Sequence, residues 1–183
     1  MQKKAVFLDR DGVINEERGY VWLRKDLVLL PGVEDALRQI RKAGYLVIVI
    51  TNQSGIAKGL YTEQDVRVLH RSLNQDLISG EAQIDAFYFC PHHPDGIIAE
   101  YSISCNCRKP NNGLLLQAAE DWNIDLQQSY FIGDSERDII AGKKSGCITY
   151  GVQTGHGFAQ AIEQPDYLVK NLLEAVKSIS SLK

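Results

Sequence analysis

The chain has no long apolar run. Its longest strongly apolar stretch, Tyr45 to Ile50, falls far short of the roughly 20 residues that span a bilayer, which excludes a membrane helix. It also has no excess of basic charge: 20 Lys and Arg stand against 23 Asp and Glu, giving a net charge of −3 and a pI near 5.8. Nothing here attracts a nucleic-acid backbone in general, so any anion must be held by local groups. The opening Met1-Gln2-Lys3-Lys4 resembles the charged start of a secretion signal, but Asp9, Arg10 and Asp11 interrupt the apolar stretch that would have to follow. The expected location is therefore the cytoplasm, where the four cysteines are thiols or metal ligands rather than disulfides. There is no internal repeat and no low-complexity tract. With 44% hydrophobic and 23% charged residues, the 183-residue chain suits one globular domain over residues 1–183.

Short apolar runs alternate with segments of helical period, the pattern of βα units around a mostly parallel sheet, so the fold class is α/β. A first strand covers 4–8. Pro31 opens a helix whose Val33, Leu37 and Ile40 share one face before Gly44 stops it. Strand two, 45–50, is apolar without alternation, as expected of a strand buried on both faces. Thr62 is the expected N-cap of a helix carrying Val66, Leu69, Leu73 and Leu77, ended by Gly80. Further strands are expected at 86–89, 130–132, 148–152 and 167–169, and further helices near 112–122 and 136–145 and from 171. Residues 90–107 are irregular and rich in Cys, His, Pro and Gly, too long for a casual turn and so expected to be tied down by a metal. No stretch before Lys109 is long enough for a separate cap domain.

In a parallel sheet, ligands collect beyond the carboxyl ends of the strands. Three strand ends look chemical. Val6-Phe7-Leu8-Asp9-Arg10-Asp11 sets two carboxylates two residues apart. Ile50-Thr51-Asn52-Gln53-Ser54-Gly55 offers a hydroxyl, side-chain amides and loop N–H groups for phosphate oxygens. Ile132-Gly133-Asp134-Ser135-Glu136-Arg137-Asp138 ends a third strand with acids, and Arg108-Lys109-Pro110 supplies fixed positive charge. One strand-end Asp alone is as readily a turn former. Together they suit phosphoryl transfer: a carboxylate near Mg²⁺ attacks, the metal and Lys109 neutralise the equatorial oxygens, and a second carboxyl protonates the leaving oxygen. Cys90-x-His92 and Cys105-x-Cys107 give three thiolates and an imidazole, a tetrahedral set for structural Zn²⁺ with no position left open for catalysis. By spacing alone His93 could replace His92. Cys147 reads as a buried thiol, His70 as a surface or boundary residue, Trp22 as packing, and the His156 loop as flexible or touching substrate.

This order of motifs resembles the haloacid dehalogenase superfamily, whose DxD, strand-end Thr, Lys and later GD with a following acid match Asp9, Asp11, Thr51, Lys109, Asp134 and Asp138 over about residues 5–152. The resemblance implies a Rossmann-like sheet and an aspartyl-phosphate on Asp9, with Asp11 as acid and then base and Thr51 and Lys109 holding the phosphoryl group. It implies Mg²⁺ bound by Asp9, Asp134 and the backbone carbonyl of Asp11, with Asp138 orienting Lys109 or the metal site. Within the superfamily, DRDGVIN, TNQSGIAKG, CPHHP and CNCRKP resemble the D,D-heptose 1,7-bisphosphate phosphatases, and that pattern favours His92 as the zinc ligand. It implies a phosphosugar pocket lined by Glu17, Arg18, Gly19, Tyr20, Thr51, Asn52, Gln53, Ser54, Arg108 and Lys109, with Arg108 on the phosphate that stays on the sugar. The histidinol-phosphate phosphatases share the zinc loop and catalytic groups and are the alternative. Rivals from other classes are a non-catalytic phosphosugar-binding protein and a nucleic-acid end-processing phosphatase. Two departures stand out: Ser135 where those heptose enzymes often carry Lys, and Asn111-Asn112 before Gly113, with Asn112 expected as an N-cap. The expected state is a monomer, with no nucleic-acid or membrane partner.

Overall fold

A computed structural model describes residues 2–180 of the chain. Strand β1 (Ala5–Leu8) is buried at every residue and has parallel neighbours on both sides, β2 (Leu46–Asn52) and β4 (Tyr130–Gly133). β3 (Ala86–Cys90) lies outside β2, while β5 (Ile148–Val152) and β6 (Tyr167–Val169) follow β4. The six-stranded sheet therefore runs β3-β2-β1-β4-β5-β6, every pairing parallel.

Successive side chains of a strand point to opposite faces, so each face needs its own cover. Val6, Leu8, Val47, Val49 and Ile132 pack with α1 (Val33–Lys42), α5 (Leu172–Ser180) and the Leu69, Leu73 and Leu77 stripe of α2 (Glu63–Ile78). Ala5, Phe7, Ile48, Ile50 and Phe131 pack with α3 (Gly113–Trp122) and with Ala141 of α4 (Glu136–Lys144). The strand order diverges from the β1–β4 pair. That divergence opens a crevice at their carboxyl ends, where loops separate rather than cross.

Local signals account for most element boundaries. Thr62 caps α2 reciprocally: Asp65 N–H donates to Thr62 Oγ1 at 3.2 Å, and Asp65 Oδ2 accepts from Thr62 N–H at 2.8 Å. Asn112 stands at the N-cap position of α3, but its side chain makes no capping bond. The start of that helix is anchored instead by Gly113 N–H donating to the Asn106 carbonyl at 2.9 Å, which ties it to the cysteine loop. His70 is not at the surface. It is 4% exposed, because α2 packs a second flank against β3, where the His70 ring stacks on Phe87 at 4.4 Å. The two long connections at the carboxyl edge, 9–32 and 91–112, are loops with a short 3₁₀ turn each, so among the described residues no cap domain is inserted over the crevice. Nor is any described helix long and apolar enough to cross a membrane.

Candidate active site

Asp9 leaves β1 at the floor of the crevice, 7% exposed. Its Oδ1 accepts from Arg10 N–H at 2.7 Å, and its Oδ2 lies 3.0 Å from Lys109 Nζ. Lys109 reaches this point from the loop before α3. Its backbone is paired with the Asn52 side chain in both directions at 3.1 Å, and its ammonium also donates to the Ile50 carbonyl at 2.8 Å. The third ammonium contact is Asp138 Oδ1 at 2.7 Å. The other oxygen of Asp138 is occupied too, accepting from Ser135 N–H at 3.1 Å and Ser135 Oγ at 2.6 Å.

Burial and charge set the protonation states. Burial works against the Lys109 ammonium, but Asp138 and Asp9 override it and hold its pKa above the ordinary value. Burial alone would also raise Asp138, yet the charge and hydrogen bond of Lys109 keep it below the usual carboxylate range. Asp9 goes the other way. Its burial pushes it up to about 7, opposed by Lys109 and reinforced by the carboxylates of Asp138, Asp134 and Asp11.

That excess of carboxylate is what a divalent cation neutralises. Oxygens of Asp9, Asp134 and Asp138 lie within 4.8 Å of one another. Asp138 is taken up by Lys109 and Ser135, whereas Asp134 Oδ1 is buried without a hydrogen-bond partner. Asp134 Oδ2 accepts from His156 N–H and pairs with His156 Nδ1, each at 2.8 Å. The backbone closes over this carboxylate at Gly12 and Gly155, where an added Cβ would run into it, and Gly12 has φ +79°, which favours glycine. An orphaned buried oxygen beside a second acid with a raised pKa fits a hard cation such as Mg²⁺.

Asp11 lies above this floor. Its carboxylate accepts from Arg10 Nη2 at 2.9 Å on both oxygens, from Asn15 Nδ2 at 2.9 Å and from Gln53 Nε2 at 3.2 Å. Gln53 Nε2 also donates to Thr51 Oγ1 at 2.9 Å, and Tyr61 OH donates to Gln53 Oε1 at 2.9 Å. Thr51 is 1% exposed and offers its hydroxyl to the cleft.

The cleft encloses about 260 Å³. Of the residues expected from the sequence, Asp9, Asp11, Glu17, Gly19, Tyr20, Thr51, Asn52, Gln53, Ser54 and Arg108 line it. Lys109 lies beneath the lining and Asp134 beside Asp9. Arg18 is not brought in, since it turns outward onto Glu16 at 2.6 Å. Tyr20 is held from across the cleft by Lys58 Nζ, which donates to its hydroxyl at 2.7 Å. Three lining residues escaped the sequence reading in whole or part: Tyr61, Arg137 and His156. Arg137 follows Ser135 by two residues in the first turn of α4, and only the packing of that turn against the cleft loops brings it to the lining. Arg137 Nε donates to Ser135 Oγ at 3.1 Å, Arg108 Nη1 donates to the His92 carbonyl at 3.1 Å, and among the described residues neither guanidinium has a carboxylate partner. Burial lowers the Arg108 pKa, and the charge of Arg137 adds to that.

The cysteine loop folds back as its spacing required. Cys90, His92, Cys105 and Cys107 converge, with Cys107 Sγ 3.1 Å from Cys90 Sγ and 3.2 Å from Cys105 Sγ, and His92 Nδ1 3.2 Å from Cys107 Sγ. His93 turns away, its Nδ1 accepting from Asp95 N–H at 3.1 Å. Hydrogen bonds from Cys90 and its neighbours hold the Cys107 thiol down to about 5, while Cys90 is pushed far above the usual thiol range. Three sulfurs and one ring nitrogen crowded this closely are compatible with a tetrahedral zinc.

A family model described as HAD-hydrolase-like matches residues 106–175. The chain is 43% identical to a D-glycero-beta-D-manno-heptose-1,7-bisphosphate 7-phosphatase of Rhodopseudomonas palustris over 94% of this chain and 91% of that protein. It is 42% identical to a D-glycero-D-manno-heptose-1,7-bisphosphate 7-phosphatase of Thermosynechococcus vestitus over 98% and 96%. Among solved structures it resembles a D,D-heptose 1,7-bisphosphate phosphatase from B. bronchiseptica complexed with magnesium and phosphate, with a TM-score of 0.89, 31% identity, and 98% and 99% of the two chains covered.

The raised pKa of Asp9 makes a stability prediction for metal-free protein. A carboxyl that titrates near 3.8 when unfolded and near 7 when folded contributes stability below 3.8 that is lost as pH rises through 7. In urea melts with chelator present, Asp9→Asn should therefore gain stability over the wild type as pH rises from 4 to 7, and the gap should then level off. A constant gap across that range would contradict the assignment.

Proposed function

The chain belongs to the D-glycero-D-manno-heptose-1,7-bisphosphate 7-phosphatases of the HAD-like hydrolases, and from that membership we propose how its own residues carry out the reaction. It is a phosphoric monoester hydrolase that removes the 7-phosphate of the heptose bisphosphate and leaves the sugar 1-phosphate. The observation that carries the reading is the Asp9–Lys109–Asp138 array beside the unpartnered Asp134 oxygen. The name of the Rhodopseudomonas relative supports the beta anomer as substrate.

In this mechanism an Asp9 carboxylate oxygen attacks phosphorus, and the bond from phosphorus to the sugar oxygen breaks. Asp11 gives that oxygen its proton. The aspartyl-phosphate is then attacked by water, whose proton returns to Asp11, and phosphate leaves. The Thr51 hydroxyl holds one phosphoryl oxygen, and the Lys109 N–H that meets Asp9 turns to another as Asp9 bonds to phosphorus. Asp138 keeps Lys109 charged and aimed. Asp9, Asp134 and the Asp11 backbone carbonyl would hold Mg²⁺, which lowers the repulsion between an anionic nucleophile and an anionic phosphoryl group.

The paired guanidiniums of Arg108 and Arg137 support a seat for the phosphate that stays on the sugar. Two cations facing one cleft without a carboxylate between them repel each other until an anion arrives. Arg137 thus supplies a charge near the position where Ser135 supplies none. Cys90, His92, Cys105 and Cys107 would hold Zn²⁺ in a structural role, fixing the loop that leads directly into Arg108 and Lys109. The cleft is lined by residues 9–156 around one continuous sheet, which supports one domain as the working unit.

Phosphate release with Mg²⁺ should favour a heptose 1,7-bisphosphate over histidinol phosphate and fructose 1,6-bisphosphate. A preference for histidinol phosphate would keep the chemistry and overturn the substrate, and no turnover of any of them would favour a binding role. Asp9→Asn should lower turnover by at least about 10³-fold. Arg137→Gln should lower kcat/KM for the bisphosphate by roughly 10- to 100-fold and leave the 7-monophosphate little changed. An equal loss on both substrates would remove Arg137 from the retained-phosphate seat. Cys105→Ala should lower Tm by more than about 5 °C and release zinc, and calorimetry with metal analysis checks both.

A further inference from the structure

We infer that His70 is a positioning residue for proton transfer: its Nε2 lone pair seats the Arg10 guanidinium, and Arg10 in turn fixes the Asp11 carboxylate. The inference rests on Asp11 being the group that moves the proton.

Arg10 has no exposed surface, and its guanidinium is satisfied from three directions. Nε and Nη2 donate to Asp11, Nη2 also donates to the Val21 carbonyl at 2.7 Å, and Nη1 faces His70 Nε2 at 3.3 Å. A guanidinium has no acceptor and does not lose its proton in a protein, so the contact with His70 exists only if Nε2 carries a lone pair. The ring is therefore neutral, with its proton on Nδ1. Its surroundings keep it so. The ring is 4% exposed, stacked on Phe87 at 4.4 Å and set edge-on to Phe89 at 6.1 Å. Burial, with the charges of Arg10 and Arg67, drives its pKa well below the ordinary histidine value.

Packing alone does not call for a histidine here. An aliphatic side chain of similar size would fill the space between α2 and β3 but would leave a buried guanidinium N–H unpaired. That loss would fall on Arg10, whose remaining anchors are the Val21 carbonyl and the carboxylate it is meant to hold. Without the His70 contact the guanidinium can pivot about Nη2, and Asp11 moves with it. Asn15 and Gln53 also touch Asp11, but Gln53 is shared with Thr51 and Tyr61 and belongs to the phosphoryl side of the cleft.

The test compares His70→Leu, which removes the acceptor, with His70→Gln, whose amide oxygen can reach the Nε2 position. Wild-type turnover of the heptose bisphosphate is measured first, and its failure would indict the functional reading, not this one. His70→Leu should lower kcat by roughly 10- to 100-fold with KM within about twofold, and His70→Gln should recover most of kcat. Unchanged kcat in His70→Leu, equal losses in both variants, or a loss confined to KM would overturn the inference. A measurement on wild-type protein decides the matter even if His70→Leu does not fold or no substrate turns over. Nitrogen-15 spectra should show His70 with Nε2 unprotonated and Nδ1 protonated at neutral pH, and a protonated Nε2 would overturn it.

Discussion

One buried ammonium organises the catalytic end of this molecule. Lys109 has 2% of its surface exposed and divides its three N–H groups among Asp9, Asp138 and the Ile50 carbonyl. Burying an unpaired ammonium costs several kcal/mol, so its partners are as constrained as the lysine itself. Asp138 must therefore lie at the start of α4, Ile50 near the end of β2 and Asp9 just past β1, which fixes three elements of the sheet against one another. The arrangement still leaves more carboxylate than ammonium. Three further acids surround Asp9 and push its pKa toward neutrality, and that surplus is the driving force for taking up a divalent cation.

The cysteine loop and the open cleft follow from the same constraint. Lys109 arrives from a loop with little regular structure, so that loop needs its own support. The Cys and His cluster lies immediately before it in sequence, and Arg108 donates back to the His92 carbonyl. Among the described residues no cap domain covers the crevice, and the loops themselves shape it. Lys58 and Tyr20 join across its mouth, and Thr154 Oγ1 donates to the Gly12 carbonyl at 2.6 Å, bringing His156 to the rim beside Asp134. Short polar links between loops do here what a separate domain does elsewhere, and they leave the cleft accessible to a bisphosphorylated sugar.

Much of this was legible in the sequence because it rests on local rules. Apolar runs without alternation marked the inner strands, and Thr62 with Asp65 marked the start of α2. The acids at three strand ends marked the floor of the site, because parallel topology sends strand ends to one crevice. What depended on tertiary neighbours was not legible. His70 looked peripheral since its own helix gives no hint that Arg10, some sixty residues earlier, would bury its guanidinium against it. Asn112 had the right chemistry for a cap, yet the carbonyl of Asn106 took over the start of that helix. Arg18 belonged to the expected pocket segment but found Glu16 within reach, and Arg137 entered the cleft through a helical turn that spacing alone did not single out.

The central claim is that phosphate passes through the side chain of Asp9. Rapid quench of the turning-over enzyme, followed by borohydride reduction and peptide mass spectrometry, tests it directly, since reduction converts an aspartyl-phosphate to homoserine. Homoserine at position 9, dependent on both Mg²⁺ and the heptose bisphosphate, is the predicted result. Homoserine at another aspartate during turnover, or its absence from position 9 when the method traps such an intermediate in a control phosphatase, would contradict the account.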